Sequence, residues 1–165
     1  MRFKIVMAIS AALLLAACST KPADTGGGAS TGTTGGTTTS TVPQGAAPGS
    51  AQDFITNVGD RVFFGFDRYD LTAEAQAELQ KQATWLKTYP QYRFVIEGHC
   101  DERGTREYNL ALGERRATAV KNYLVALGID TNRMQTISYG KERPAVLGSD
   151  EAAWAQNRRG VVVLQ

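Results

Sequence analysis

The chain has 165 residues, 42% hydrophobic and 21% charged, with a formal net charge of +2. Arg2 and Lys4 stand at its start, and without them acidic and basic side chains balance, so charge lends no support to a nucleic-acid partner. One histidine and two cysteines provide no second cluster of donors for a metal site.

Residues 1–4 are short and basic, and residues 5–17 are an apolar run of mostly Ala, Leu, Ile, Val and Met. A spanning helix needs roughly 20 apolar residues, so this run reads as an export signal instead. Cys18 follows Leu15-Ala16-Ala17 directly, which resembles a bacterial lipoprotein signal. That resemblance implies diacylglycerol on the Cys18 thiol, cleavage before Cys18 and acylation of the new amine. Several acyl chains hold a protein to a bilayer where one holds it only marginally. Ser19, in place of Asp, favours sorting to the outer membrane. With Cys18 committed to lipid, Cys100 has no intramolecular partner. It is either buried or a lone thiol able to join two molecules.

Residues 19–52 are Gly, Thr, Ser, Ala and Pro with almost no large apolar side chain. Such a segment cannot bury enough surface to offset chain entropy and is predicted to be a disordered tether. About 33 residues of this kind have an r.m.s. reach of roughly 30 Å.

The remaining 110 or so residues, 53–165, suffice for one core. Residues 62–66 read as a buried strand. Thr72 caps a helix whose apolar positions Ala75, Leu79, Leu86 and Tyr89 recur at steps of three and four, and Pro90 closes it. Residues 92–97 are a second strand, with an unbroken apolar centre that predicts burial on both faces. Residues 98–104 form a polar loop. Thr105 caps a second helix with an inner stripe of Leu110, Gly113, Ala117, Val120, Leu124 and Leu127, and Gly128 suits its C′ position. A third strand covers 134–138, a loop carrying Pro144 covers 140–150, a short helix covers 151–156, and a last strand covers 161–164. Strand–helix–strand–helix–strand order requires crossovers, so part of the sheet is parallel. The predicted fold is α/β (α+β): a helix-covered mixed sheet of about four strands in βαβαβ order.

In open α/β sheets ligands sit beyond the carboxyl ends of the parallel strands. Two charged loops are placed there, 66–70 with Asp67 and 98–104 with Asp101. Asn109 and Arg116 lie seven apart on the following helix, hence on one face. Carboxylates, an amide and a guanidinium together suit a zwitterion: the carboxylate takes an ammonium and the guanidinium a carboxylate. The alternative is a solvated loop with ordinary caps and surface ion pairs.

Four segments are distinctive: Gly-His-Cys-Asp-Glu-Arg-Gly-Thr (98–105), Glu-Tyr-Asn-Leu-Ala-Leu-Gly-Glu-Arg-Arg-Ala (107–117), Ser-Tyr-Gly-Lys-Glu-Arg-Pro (138–144) and Ala-Trp-Ala-Gln-Asn-Arg-Arg (153–159). Together they closely resemble the peptidoglycan-associated lipoproteins, a group within the OmpA-like peptidoglycan-binding domain family, over about residues 60–165. The resemblance implies a non-enzymatic protein without cofactor. It implies a site at Asp67, Asp101, Asn109 and Arg116, with Phe66, Arg103 and Leu112 as weaker candidates for the wall of the pocket. The implied ligand is meso-diaminopimelate of the peptidoglycan stem peptide. Asp101 would hold its ammonium and Arg116 its carboxylate. The implied setting is the outer membrane, lipid-anchored and facing the periplasm, with the β-propeller protein of the Tol system as a partner in envelope constriction and cell division.

Other conspicuous residues have plainer roles. His99, Cys100 and Asp101 are adjacent, and adjacent residues rarely converge on one metal. A Cys–His catalytic pair fails because neighbours at a strand end point apart. His99 is expected to brace the loop. Trp85 and Trp154 are expected in the core or an interface, and residues 157–159 are expected to pair with acidic loop residues. One competing reading is a peptidoglycan amidase or hydrolase, disfavoured by the single histidine and the lack of a second ligand cluster; another is a different OmpA-like wall anchor linked to a motor or to secretion, disfavoured by the wording of segments 100–105 and 138–144.

Overall fold

The structure is a computed structural model that describes residues 45–165. The predicted export signal 1–17, the predicted lipidation site Cys18 and residues 19–44 of the predicted tether lie outside the described residues.

Helix α1 (Ala51–Asp53) runs into a π-helical turn (Phe54–Val58). Then come β1 (Arg61–Phe63), α2 (Ala73–Thr88), β2 (Phe94–His99) and α3 (Arg106–Ala126). A 3-10 turn (Thr131–Arg133) leads into β3 (Met134–Gly140), followed by α4 (Glu151–Asn157) and β4 (Arg159–Leu164). The sheet order is β1-β4-β2-β3. The crossover through α3 makes β2 and β3 parallel, as predicted, and β4 inserts antiparallel between β1 and β2. The carboxyl ends of β1 and β2 therefore share one end of the sheet, and the start of β4 joins them there.

The predicted strands are present with shifted ends. Strand β2 runs on to His99, which pairs with Gly140 across an irregular register, so the polar loop is shorter than expected. Strand β1 ends at Phe63 rather than residue 66, although Phe64 N–H still donates to the Arg158 carbonyl (2.9 Å). The burial of β2 differs from the prediction. Phe94, Ile96 and Gly98 are buried while Val95 and Glu97 are only half-buried. The large helices α2 and α3 pack on one face, where Leu79, Leu86, Ala117, Val120 and Leu124 meet Val62, Phe94, Ile96 and Val162.

The predicted caps form. Thr72 accepts from Ala75 N–H, and Thr105 from Tyr108 N–H. Gly128, at φ 90°, ends α3 as expected: its N–H reaches Val125 O (2.8 Å) and Ile129 N–H reaches Leu124 O (3.0 Å), a paired closure only an αL residue permits. The end of the predicted disordered tether, residues 49–52, is instead ordered as the start of α1, because composition alone gives no sign of the contacts that hold it. Tertiary contacts seat it: Phe54 is fully buried, Trp85 Nε1 donates to Asp53 (2.9 Å), and the Tyr92 hydroxyl donates to Gly49 O (2.8 Å). Trp85 is thus core, as expected.

Helix α3 lies on β2 backbone to backbone. A Cβ at Gly98 would stand 1.8 Å from Gly113 O, and one at Gly113 would stand 2.3 Å from Ser138 Oγ. This approach brings the α3 side chains to the sheet end. Overpacking costs about 1–3 kcal/mol, occasionally more, so Gly98→Ala is expected to lose at least about 3 kcal/mol in denaturant unfolding. Gly45→Ala, with nothing within 4 Å, is expected to leave the midpoint unchanged.

Candidate functional site

At the shared end of β1, β2 and β4 a cavity of about 160 Å³ opens. Asp67, Asp101, Asn109 and Arg116 line it, and so do Phe66, Arg103 and Leu112. The fold thus gathers all seven of the positions singled out in the sequence, together with Cys100, Gly104 and Tyr108.

Arg116 is the largest of the fully buried side chains. Its Nε donates to Arg68 O (2.8 Å), Nη1 to His99 O (2.8 Å) and Nη2 to Gly65 O (3.1 Å). Those three carbonyls use three of five N–H groups and leave one on each terminal nitrogen. Among the described residues no carboxylate stands within ion-pair distance of it. Burial pushes its pKa down, with Asp101 and Asp67 opposing from farther away and Arg158 adding to the depression.

Asp101 is 5% exposed. Arg103 grips it bidentately, Nη2 to Oδ2 at 2.6 Å and Nε to Oδ1 at 3.2 Å, and Arg103 N–H also reaches Oδ1 (3.1 Å). Arg158 Nη1 approaches Oδ2 at 3.5 Å. Burial opposes its ionisation, yet the bonds from Arg103 and Arg158 outweigh that and hold its carboxyl below the usual range.

Asp67 lies in the left-handed region, φ 55°, and is exposed, with the Tyr108 hydroxyl donating to it. Asn109 is buried. Its amide donates to Arg103 O (2.7 Å) and Thr105 O (3.0 Å), and its Oδ1 has no protein partner among the described residues. Leu112, buried, supplies an apolar wall. Phe66, 59% exposed, stands at the lip, and the Arg103 guanidinium lies 4.0 Å from its ring and 3.9 Å from that of Trp154.

Two residues were not foreseen here. Tyr108 lies one turn before Leu112, so helical spacing alone placed it near the site. Trp154 reaches the lip only because α4 folds back, and its Nε1 donates to Glu102 (3.1 Å). Of residues 157–159, only Arg158 pairs with acids, Asp101 and Glu151 (2.6 Å). Asn157 instead accepts from Ala145 and Val146 N–H, and Arg159 donates to Arg143 O (3.2 Å). Cys100 is buried, its thiol donating to Asn109 O (3.4 Å), and burial pushes its pKa up. His99 braces the loop through its carbonyl, while its ring turns away to Glu97 (3.1 Å). Among the described residues no group of three His, Cys, Asp or Glu is arranged to hold a metal.

A mixed sheet at whose end a buried guanidinium of α3 and a buried carboxylate of the loop after β2 line one cavity defines an α/β domain with a charged cavity. The OmpA family matches residues 63–158, and the chain belongs to that family. It is 60% identical over 119 residues to the peptidoglycan-associated lipoprotein of Brucella melitensis, covering 72% of this chain and 71% of that one. It is 49% identical over 166 residues to that of Agrobacterium fabrum, covering 96% and 86%. The crystal structure of the peptidoglycan-associated lipoprotein from Burkholderia pseudomallei superposes with a TM-score of 0.66 at 46% identity, over 70% of this chain and 100% of that chain. The C-terminal domain of Helicobacter pylori MotB shares the fold at 18% identity and a TM-score of 0.60, over 64% and 84%. The chain is not an enzyme.

Stability is expected to fall in two stages as pH is lowered. His99 is buried, and burial with Arg159 opposite depresses its pKa. The unfolded chain therefore takes up a proton first, and stability declines from the ordinary value of 6.5 downward. Asp101, depressed when folded, contributes fully above its ordinary value of 3.8, and that contribution is lost as pH falls through the folded value. Urea midpoints measured from pH 8 to 2.5 are expected to lose the upper stage in His99→Gln and to show a smaller lower stage in Asp101→Asn, since Asp53, Asp70, Glu74 and Glu102 are also depressed and contribute to it.

Proposed function

We propose that this is a non-enzymatic anchor that binds peptidoglycan stem peptides noncovalently through the two poles of meso-diaminopimelate. Arg116 carries the reading. It is a fully buried guanidinium on a cavity, with two N–H groups unspent and no carboxylate in ion-pair reach among the described residues. Such a group is complementary to a ligand carboxylate, taken as charge-assisted hydrogen bonds in a dry site. Asp67, Asp101 and the free Oδ1 of Asn109 supply the negative edge for the ammonium of the same amino acid. Leu112 and Phe66 flank its methylene chain, and Arg103 lies at the rim. The names of the relatives support the wall polymer as the ligand.

In the same reading, residues 1–17 are an export signal, residues 18–52 are the lipidated Cys18 and its tether, and residues 53–165 are the wall-binding domain. Acyl chains on Cys18 hold the protein in the outer membrane with the domain facing the periplasm. Binding to the periplasmic β-propeller protein of the Tol system brings it into envelope constriction and cell division. No cofactor or nucleic acid takes part.

Calorimetric titration of the full chain with the tripeptide L-Ala–γ-D-Glu–meso-diaminopimelate tests the site. The lysine analogue, which lacks the carboxylate assigned to Arg116, is expected to bind more weakly by about 1.5–3 kcal/mol. Asp101→Asn is expected to lose about 2–5 kcal/mol. Equal titration by both peptides would remove the assignment. For the anchor, Cys18→Ser is expected to leave the membrane fraction on carbonate washing, whereas the unaltered chain stays, and retention of the variant would count against lipid anchoring.

A further inference from the structure

We infer that Arg103 is an internal stand-in for the ligand's ammonium, one that the ligand must evict and that thereby sets the affinity of the site. The inference rests on the assignment of Asp101 to the ammonium under Proposed function.

Two guanidiniums, Arg103 and Arg158, contact Asp101, a third, Arg116, lies beyond ion-pair distance, and the three are held very differently. Arg116 is bonded to three backbone carbonyls. Arg158 is buried, bonded to Phe64 O (3.0 Å) and to Glu151 (2.6 Å). Arg103 has a side chain 31% exposed, and its guanidinium bonds to no backbone carbonyl. It is kept in place by Asp101 itself and by lying between the rings of Phe66 and Trp154. Of the three, it alone has a path to solvent and no fixed acceptor to abandon.

The arrangement also answers a cost. A buried carboxylate without a close cation is expensive. With Arg158 only at 3.5 Å, Asp101 depends on the fork of Arg103 when the cavity holds no ligand. A ligand ammonium arriving at Asp101 replaces one cation by another, so the buried charge balance is unchanged. What the ligand must overcome is the ion pair and two cation–π contacts. A neutral ligand group has nothing to exchange and leaves Arg103 where it is.

The test is calorimetry on the full chain with the diaminopimelate tripeptide, using Arg103→Gln, Arg103→Lys and Asp101→Asn. Arg103→Gln keeps the backbone N–H bond to Asp101 and removes the competing cation. Its affinity is expected to rise roughly eight- to one-hundred-and-fiftyfold, the combined strength of a partly exposed ion pair and two ring contacts. Arg103→Lys, which retains a cation, is expected to gain less. In a Trp85→Phe background, saturating tripeptide is expected to shift the emission of Trp154 when Arg103 is present and not in Arg103→Gln. If Arg103→Gln binds equally or more weakly while Asp101→Asn still loses binding, Arg103 is no competitor and the site assignment stands. The same conclusion follows if Trp154 emission is unmoved at saturation. If Asp101→Asn binds like the unaltered chain, the ammonium assignment fails and this inference fails with it.

Discussion

A guanidinium that never loses its charge has been withdrawn from water at Arg116, and the end of the sheet is organised around meeting its demand for acceptors. Two of its three carbonyls, Gly65 and Arg68, belong to the loop after β1, and the third, His99, ends β2. These strands are not neighbours, because β4 runs between them. One side chain therefore ties together two loops that the sheet alone leaves independent. Asp67 sits between the two tied carbonyls, in a left-handed conformation that Asp tolerates better than most residues.

The second constraint is steric. Gly98 and Gly113 let α3 approach β2 more closely than any side chain would allow. That approach carries Asn109, Leu112 and Arg116 into the sheet end. Strand β4 then completes the arrangement: Arg158, just before its first residue, bonds Phe64 O, Asp101 and Glu151 at once. Each of the three strands meeting at this end thus contributes a backbone or side-chain group to the same charged cluster.

The two poles of the site are unequal. In the proposed reading Arg116, fixed in direction by three backbone carbonyls, offers a ligand carboxylate an ordered partner. At Asp101 the carboxylate is already satisfied by a guanidinium of the same loop. One end is held by backbone carbonyls, and the other is paired with a partly exposed cation. Under the proposed assignment, affinity for a zwitterion depends as much on what must leave Asp101 as on what is gained at Arg116.

Much of this was legible in the residues alone. Helix periods, threonine caps and Gly128 are local signals, and they placed α2, α3 and the crossover that makes β2 and β3 parallel. The general rule for ligands at strand carboxyl ends, with seven-residue spacing on α3, marked Asp67, Asp101, Asn109 and Arg116, and the motif resemblance added Phe66, Arg103 and Leu112. Other features depend on contacts distant in sequence and carry no local period. Residues around Phe54 became helical because Trp85 and Tyr92 receive them. Trp154 came to the lip by the return of α4, and β2 proved fully covered on one face and only partly on the other, since both large helices pack on the same side. The sequence by itself determined which groups could make a charged site and roughly where along the chain, because type and spacing are local properties. Only the tertiary structure decided which charge pairs with which: a guanidinium finds its acceptors by distance and burial, and those are set by how β4, α3 and the two loops pack together.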